Sequence, residues 1–132
     1  MDNPTKDEQI LQHIVRYCNQ IQTTVKELKI DEKNLETNFI YQNALSLPII
    51  QIGELVKKLS DKFREDNSFV PWRNIAGMRD KLTHDYANLD TAIVWDVVSN
   101  KIDELNKNCT KILKDKNIPV PKPETVNKGF SR

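Results

Sequence analysis

The residues best equipped for chemistry in this chain fall in one stretch of eight, Arg79-Asp80-Lys81-Leu82-Thr83-His84-Asp85-Tyr86. An arginine offers a rigid fork of donors for phosphate oxygens. A histidine moves a proton near neutral pH, and a tyrosine can donate to a nonbridging oxygen or to a base. Together these are the groups that phosphodiester chemistry requires. Spacing qualifies the picture. Arg79 and His84 are five apart, which is about 140° around an ideal helix, so they do not stack; the length of arginine or a distorted helix end must bring them together. Asp80 and His84 are four apart and share a face, so Asp80 is a candidate to hold the imidazole in one tautomer, with Asp85 a second orienting carboxylate. The same run also reads as a solvated helix end carrying ion pairs at four-residue spacing, and the pattern alone does not separate the two.

Elsewhere the chain offers little chemistry. His13 lies between Leu11 and Ile14 on a helical pattern and reads as a surface or boundary residue. One histidine with Asp80 and Asp85 is not a compact metal-ligand set, and Cys18 and Cys109 fit no ligand spacing; both read as buried free thiols. There is no glycine-rich phosphate loop, and no Ser–His nucleophile pair can be picked out. A nuclease built on these residues is therefore expected to need no metal and no cofactor. Metal-free RNA cleavage uses the neighbouring 2′-hydroxyl as nucleophile and needs a base, an acid and a positive charge on the phosphorane-like transition state. With one suitable histidine per chain, the expectation is a two-fold dimer that supplies the second.

The elements that must position these residues are helical. Ile10, Leu11, Ile14, Val15, Cys18, Ile21, Val25 and Leu28 recur at three and four, predicting a helix over 5–29, with Thr5 and Glu8 spaced as a capping box. A second helix is expected from an Asp31 cap through Leu35, Phe39, Leu45, Ile49, Ile52 and Val56 to Leu59, with a kink or break at Pro48. Gly53 costs about 1 kcal/mol relative to alanine in such a helix, which predicts close approach of another helix there. Gly77 invites the same reading. Residues 64–70 read as a loop, and Pro71 suits the first position of a third helix over 71–86. Trp72 and Trp95 read as core residues. Asp90 or Thr91 is expected to cap a fourth helix with Val94, Val98, Ile102, Leu105, Cys109 and Leu113 on its apolar side. The pattern stops after Lys116, and Pro119, Pro121 and Pro123 predict an extended or disordered tail over 117–132. The expectation is an all-α, four-helix bundle domain over 1–116.

Composition agrees: of 132 residues 30% are charged and only three are glycine, so helices are favoured over turns and strands. The net charge of +1 selects no partner, but residues 107–132 carry seven Lys or Arg against Asp115 and Glu124, a local +5. Such a tail attracts phosphate backbones or simply keeps the terminus solvated. No apolar run approaches the ~20 residues of a membrane span, and the polar, acidic start has no leader-like stretch; a cytoplasmic location is expected.

Arg79, four residues, His84, one residue and Tyr86 match the Arg-X4-His-X-Tyr motif of HepT-like proteins of the HEPN superfamily. The similarity extends to Val70-Pro71-Trp72-Arg73-Asn74-Ile75-Ala76-Gly77-Met78-Arg79, to Leu89-Asp90 with Val94-Trp95, and to Gln51-Ile52-Gly53-Glu54-Leu55 with Leu59-Ser60. It covers about residues 8–113. The resemblance implies a four- to five-helix up-down bundle, a homodimer whose two motifs face a shared cleft, and an RNA endonuclease acting as the toxin of a type VII-like toxin–antitoxin module. It also implies a partner, an MntA-like minimal nucleotidyltransferase, which in some systems neutralises the toxin by AMPylation of the motif tyrosine, here Tyr86. Arg79 would then stabilise the scissile phosphate, His84 would act as acid and base, and Tyr86 would be both site residue and modification target. Asp85 departs from the Glu, Gly or Ala common at its position and adds a negative charge to an RNA site. The competing expectations are a non-catalytic bundle that only pairs with a nucleotidyltransferase or binds nucleotide, and a helical adaptor whose polar cluster is incidental.

Overall fold

A computed structural model describes residues 3–84 and 89–125, with the backbone alone for residues 83 and 84. The protein is all-α. The first helix, α1, spans Lys6–Glu27 and begins in the predicted capping box: Glu8 N donates to Thr5 Oγ1 at 3.1 Å and Thr5 N to Glu8 Oε1 at 2.9 Å. It ends with Lys29 at φ 53°, where Ile30 N donates to Val25 O and Lys29 N to Lys26 O, satisfying carbonyls that the helix end leaves unpaired.

The single second helix of the sequence reading is two helices. Asp31 caps α2 as predicted, but α2 is only Glu32–Thr37. The chain then turns at Asn38, whose side-chain oxygen accepts from Ile40 N and Tyr41 N and starts α3, Phe39–Lys58. The Gln42 amide reaches back to the Leu35 and Glu36 carbonyls, which the early end of α2 leaves open. The break therefore falls ten residues before the proline, where an asparagine can supply its own cap, and α3 runs on through a buried Pro48.

A further short helix was not foreseen. Ser60 caps α4, Asp61–Asp66, and is itself held by Asp7 of α1 through its backbone N at 2.8 Å and its hydroxyl at 2.7 Å. Residues 64–66 thus belong to a helix that buries Phe63, and the loop is shorter than expected. Phe63 meets Trp72 with ring centroids 6.2 Å apart, and Trp72 Nε1 donates to Asn67 O, so Trp72 is a core residue as predicted.

Pro71 stands one residue before α5, Trp72–His84, and its carbonyl accepts from Ile75 N. Asp90 caps α6, Thr91–Asp96. A π-helical turn, Val97–Lys101, then passes directly into α7, Ile102–Asp115. Beyond α7, the described residues 118–125 form no helix and run against α1: the Gln12 amide donates to Pro119 O and the Asn19 amide to Pro121 O.

In the bundle, α5 packs on α3, α3 on α1, and α1 on α7. Their shared core includes Leu11, Ile14, Leu45, Ile49, Ile52, Ile102 and Leu113, all fully buried. The fourth seam, between α5 and the α6–α7 helix, stays open as a groove. Among the described residues, no helix is long and apolar enough to cross a membrane.

Candidate active site

Gly53 decides where the motif arginine stands. It lies buried on α3 where α5 crosses, and a Cβ built there would sit 2.2 Å from Arg79 Cβ and 3.3 Å from Arg79 Cα. Only a hydrogen fits in that gap, so the sequence expectation of close approach holds at Gly53. At Gly77 it does not: a Cβ there would meet nothing within 4 Å. That position faces the groove instead of a neighbouring helix.

The contact sets a polar network across α3 and α5. The Arg79 guanidinium pairs through Nε with Glu54 and through Nη1 with Asp80 Oδ1 at 3.1 Å, and Lys57 Nζ meets the same Asp80 oxygen at 2.8 Å. Two cations and two carboxylates thus balance, and Arg79, about a third exposed, is oriented rather than free to sweep. The Lys57 ammonium first, and the Arg79 guanidinium second, hold the Asp80 carboxyl below its ordinary value.

Of the residues singled out in the sequence, Arg79 and Asp80 are brought together on α5. The described contacts of Asp80 are with Lys57 and Arg79, and the expected contact with the His84 imidazole lies outside the described residues. Position 84 is the last described residue of α5, and its side chain lies outside the described residues, as do Asp85 and Tyr86 entirely. His13 is exposed, as expected for a surface residue. Cys18 and Cys109 are buried free thiols, also as expected; burial pushes Cys18 up to about 12 and Cys109 well above its ordinary value. Sequence reasoning assigned no site role to Lys57, and named Glu54 only as part of the family-like stretch around Gly53. The available signal was Gly53-Glu54 followed by Lys57 one turn on, which puts a small residue and both charges at one helix crossing.

The all-α bundle is consistent with the HEPN type of helical domain. The ribonuclease HepT-like family model matches residues 10–112, and the chain belongs to that family. Among its relatives is a protein of Caldanaerobacter subterraneus subsp. tengcongensis named "Putative RNase TTE0752", 39% identical over 103 residues that cover 78% of this chain and 90% of the relative. A protein of Methanocaldococcus jannaschii named "Putative RNase MJ0125" is 34% identical over 117 residues, covering 85% and 96%. The "Probable ribonuclease HepT" of Thermococcus cleftensis is 34% identical over 79 residues, covering 60% and 68%. No solved structure matches the chain significantly.

Proposed function

We propose that this protein is an RNA endonuclease that works without a metal ion and acts as the toxin of a toxin–antitoxin pair. The observation that carries the reading is the placement of Arg79: a guanidinium fixed by Glu54 and Asp80 on the helix that carries position 84, in a chain of the HepT-like ribonuclease family. In the proposed reaction a neutral His84 imidazole takes the proton of a 2′-hydroxyl, and the 2′-oxygen attacks the adjacent phosphorus. The P–O5′ bond breaks, and an imidazolium returns a proton to the leaving 5′-oxygen. The products are a 2′,3′-cyclic phosphate and a 5′-hydroxyl. Arg79 stabilises the extra negative charge on the equatorial oxygens.

One chain has one such histidine, so the second is assigned to the two-fold mate in a homodimer. An exposed apolar stripe on α3 supports this. Ile40 and Leu47 are each 61% exposed and seven residues apart, and seven more lead to Glu54, the partner of Arg79. A self-complementary contact along that stripe would bring the two Arg79 networks to one cleft. The antitoxin partner is proposed to be an MntA-like nucleotidyltransferase that AMPylates Tyr86. An AMP there would put a bulky anion where the RNA phosphate must sit.

Expression of the wild-type chain is expected to arrest growth, with His84→Ala relieving the arrest and purified wild type cleaving RNA in the presence of EDTA. Unchanged toxicity of His84→Ala would remove the catalytic assignment, loss of cleavage in EDTA the metal-free one, and a strict monomer that still cleaves the shared cleft. Mass spectrometry of Tyr86 after co-expression with the antitoxin tests the modification; a neutralised but unmodified toxin would overturn it.

A further inference from the structure

The unclosed seam of the bundle has a volume of about 630 Å³, within the range of sites that hold small molecules. Its floor is apolar, with buried Met78 from α5 and buried Val97 from the opposite wall, where Ile93 adds an exposed apolar side chain. Its α5 rim is cationic: Arg73 and Lys81 are exposed, and neither forms an ion pair with any described residue. That contrasts with Arg79 on the other side of the same helix and with Lys57 of α3, both engaged by carboxylates. Arg73 and Lys81 are two turns apart, about 12 Å along the axis. The residue midway between them is Gly77, where the wall has open space in front of it.

Register ties this groove to the proposed chemistry. Arg73, Gly77, Lys81 and position 84 follow each other at steps of four, four and three, which is one face of a helix. The backbone of α5 therefore carries the groove face straight to the position of the motif histidine. The far wall contains the π-helical turn, an irregularity that concentrates at functional sites. That wall carries Asp96, Glu104 and Lys101, so excess positive charge lies on the α5 side, where a phosphate chain would run.

Resting on the ribonuclease reading above, we propose that this groove seats a nucleotide of single-stranded RNA flanking the scissile phosphate. The base would lie on the apolar floor, with the amides of Asn74 and Asn108 at its polar edge. The adjoining phosphates would meet Arg73 and Lys81. Each chain of a dimer thus extends the central cleft with its own substrate arm, and cleavage requires nucleotides beyond the broken bond.

The test is binding of a fluorescein-labelled single-stranded oligoribonucleotide, measured by anisotropy on full-length protein carrying His84→Ala so that no cleavage intervenes. Two further changes are made separately on that background: Gly77→Leu, which fills the groove, and the paired reversal Arg73→Glu with Lys81→Glu. Each is expected to weaken binding at least tenfold with the helical circular dichroism retained. The reversal is also expected to flatten the dependence of log Kd on log salt by about 1.4, the value for two single-strand phosphate contacts. Affinity within twofold of the parent in the charge-reversed protein would overturn the proposal even if Gly77→Leu failed to fold. Intact RNA affinity in Gly77→Leu with lost capture of the purified antitoxin would assign the groove to the partner and also overturn it. Failure of the wild type to bind or cleave RNA would sink the ribonuclease reading itself, a different outcome from unaffected groove variants of an active enzyme.

Discussion

Replacing Gly53 with alanine perturbs the site through a single methyl group. The new Cβ would lie 2.2 Å from Arg79 Cβ and 3.2 Å from Arg79 Cγ, whereas carbon atoms rest at about 3.5–4.0 Å. The nearest Arg79 atoms belong to the base of the side chain and the backbone, which cannot swing aside. Helix α5 must therefore move off α3 by roughly 1.5 Å at the crossing. Overpacking of this kind costs about 1–3 kcal/mol, against about 1 kcal/mol gained because alanine is the better helix former. The net expectation is a loss of about 0–2 kcal/mol, and at roughly 3–5 °C per kcal/mol for a domain of this size the midpoint falls by up to several degrees. The same step carries Arg79 away from Glu54. A misplacement on the order of 1 Å in a catalytic constellation costs about 10²-fold in rate. Gly77→Ala is the stability control, since its methyl meets open space and should add about 0.5–1 kcal/mol. Thermal melts of the two variants, with RNA cleavage measured for Gly53→Ala, are the assay. Equal rises in both melting temperatures would refute the packing argument. A destabilised Gly53→Ala that cleaves at the wild-type rate would refute the claim that this contact sets the arginine.

Three other outcomes are expected. The Asp80 carboxyl is held low by Lys57 and Arg79, so its stabilising effect is full above the unfolded value near 4 and disappears as pH falls through its folded value. Urea midpoints of wild type and Asp80→Asn should therefore differ by a constant amount above about pH 5 and converge in acid; parallel curves down to the lowest pH would contradict the pairing. The buried thiols of Cys18 and Cys109 should resist an aromatic disulfide reagent at pH 8 in the native protein and react on unfolding, and rapid native labelling would show the α1–α7 seam to be open. Ser46 is fully buried and its hydroxyl has no hydrogen-bond partner among the described residues; removing it with Ser46→Ala should stabilise the protein by about 1–2 kcal/mol, and a loss of stability would mean that the hydroxyl is bonded.

What the residues alone determined about this protein is whatever depends on neighbours a few positions apart. The stripe from Ile10 to Leu28, the Thr5–Glu8 cap, the Asp31 and Asp90 caps and the Pro71 start are all encoded within one or two turns, and all were legible. So was the all-α class, because amphipathic stripes of this length must pair with one another. The motif run was visible too, as three residue types in a fixed order. Even Gly53 announced a close approach, through the helix stability it gives up. Less legible was the competition between two local signals, Pro48 and Asn38, each able to interrupt the second helix; the outcome turned on the asparagine capping Ile40 and Tyr41 and on Gln42 closing the end of α2.

Tertiary structure alone decided which groups meet across helices. Glu54 and Lys57 are distant in sequence from Arg79 and Asp80, and only the α3–α5 crossing makes them one network. Gly77 and Gly53 are the same residue in similar helical contexts, yet one faces open space and the other the base of an arginine. Periodicity fixes the angle of a side chain about its own helix but not the partner at that angle. The open seam between α5 and the α6–α7 helix, with Arg73 and Lys81 forming no ion pair among the described residues, is a property of how four helices pack and has no signature in any one of them.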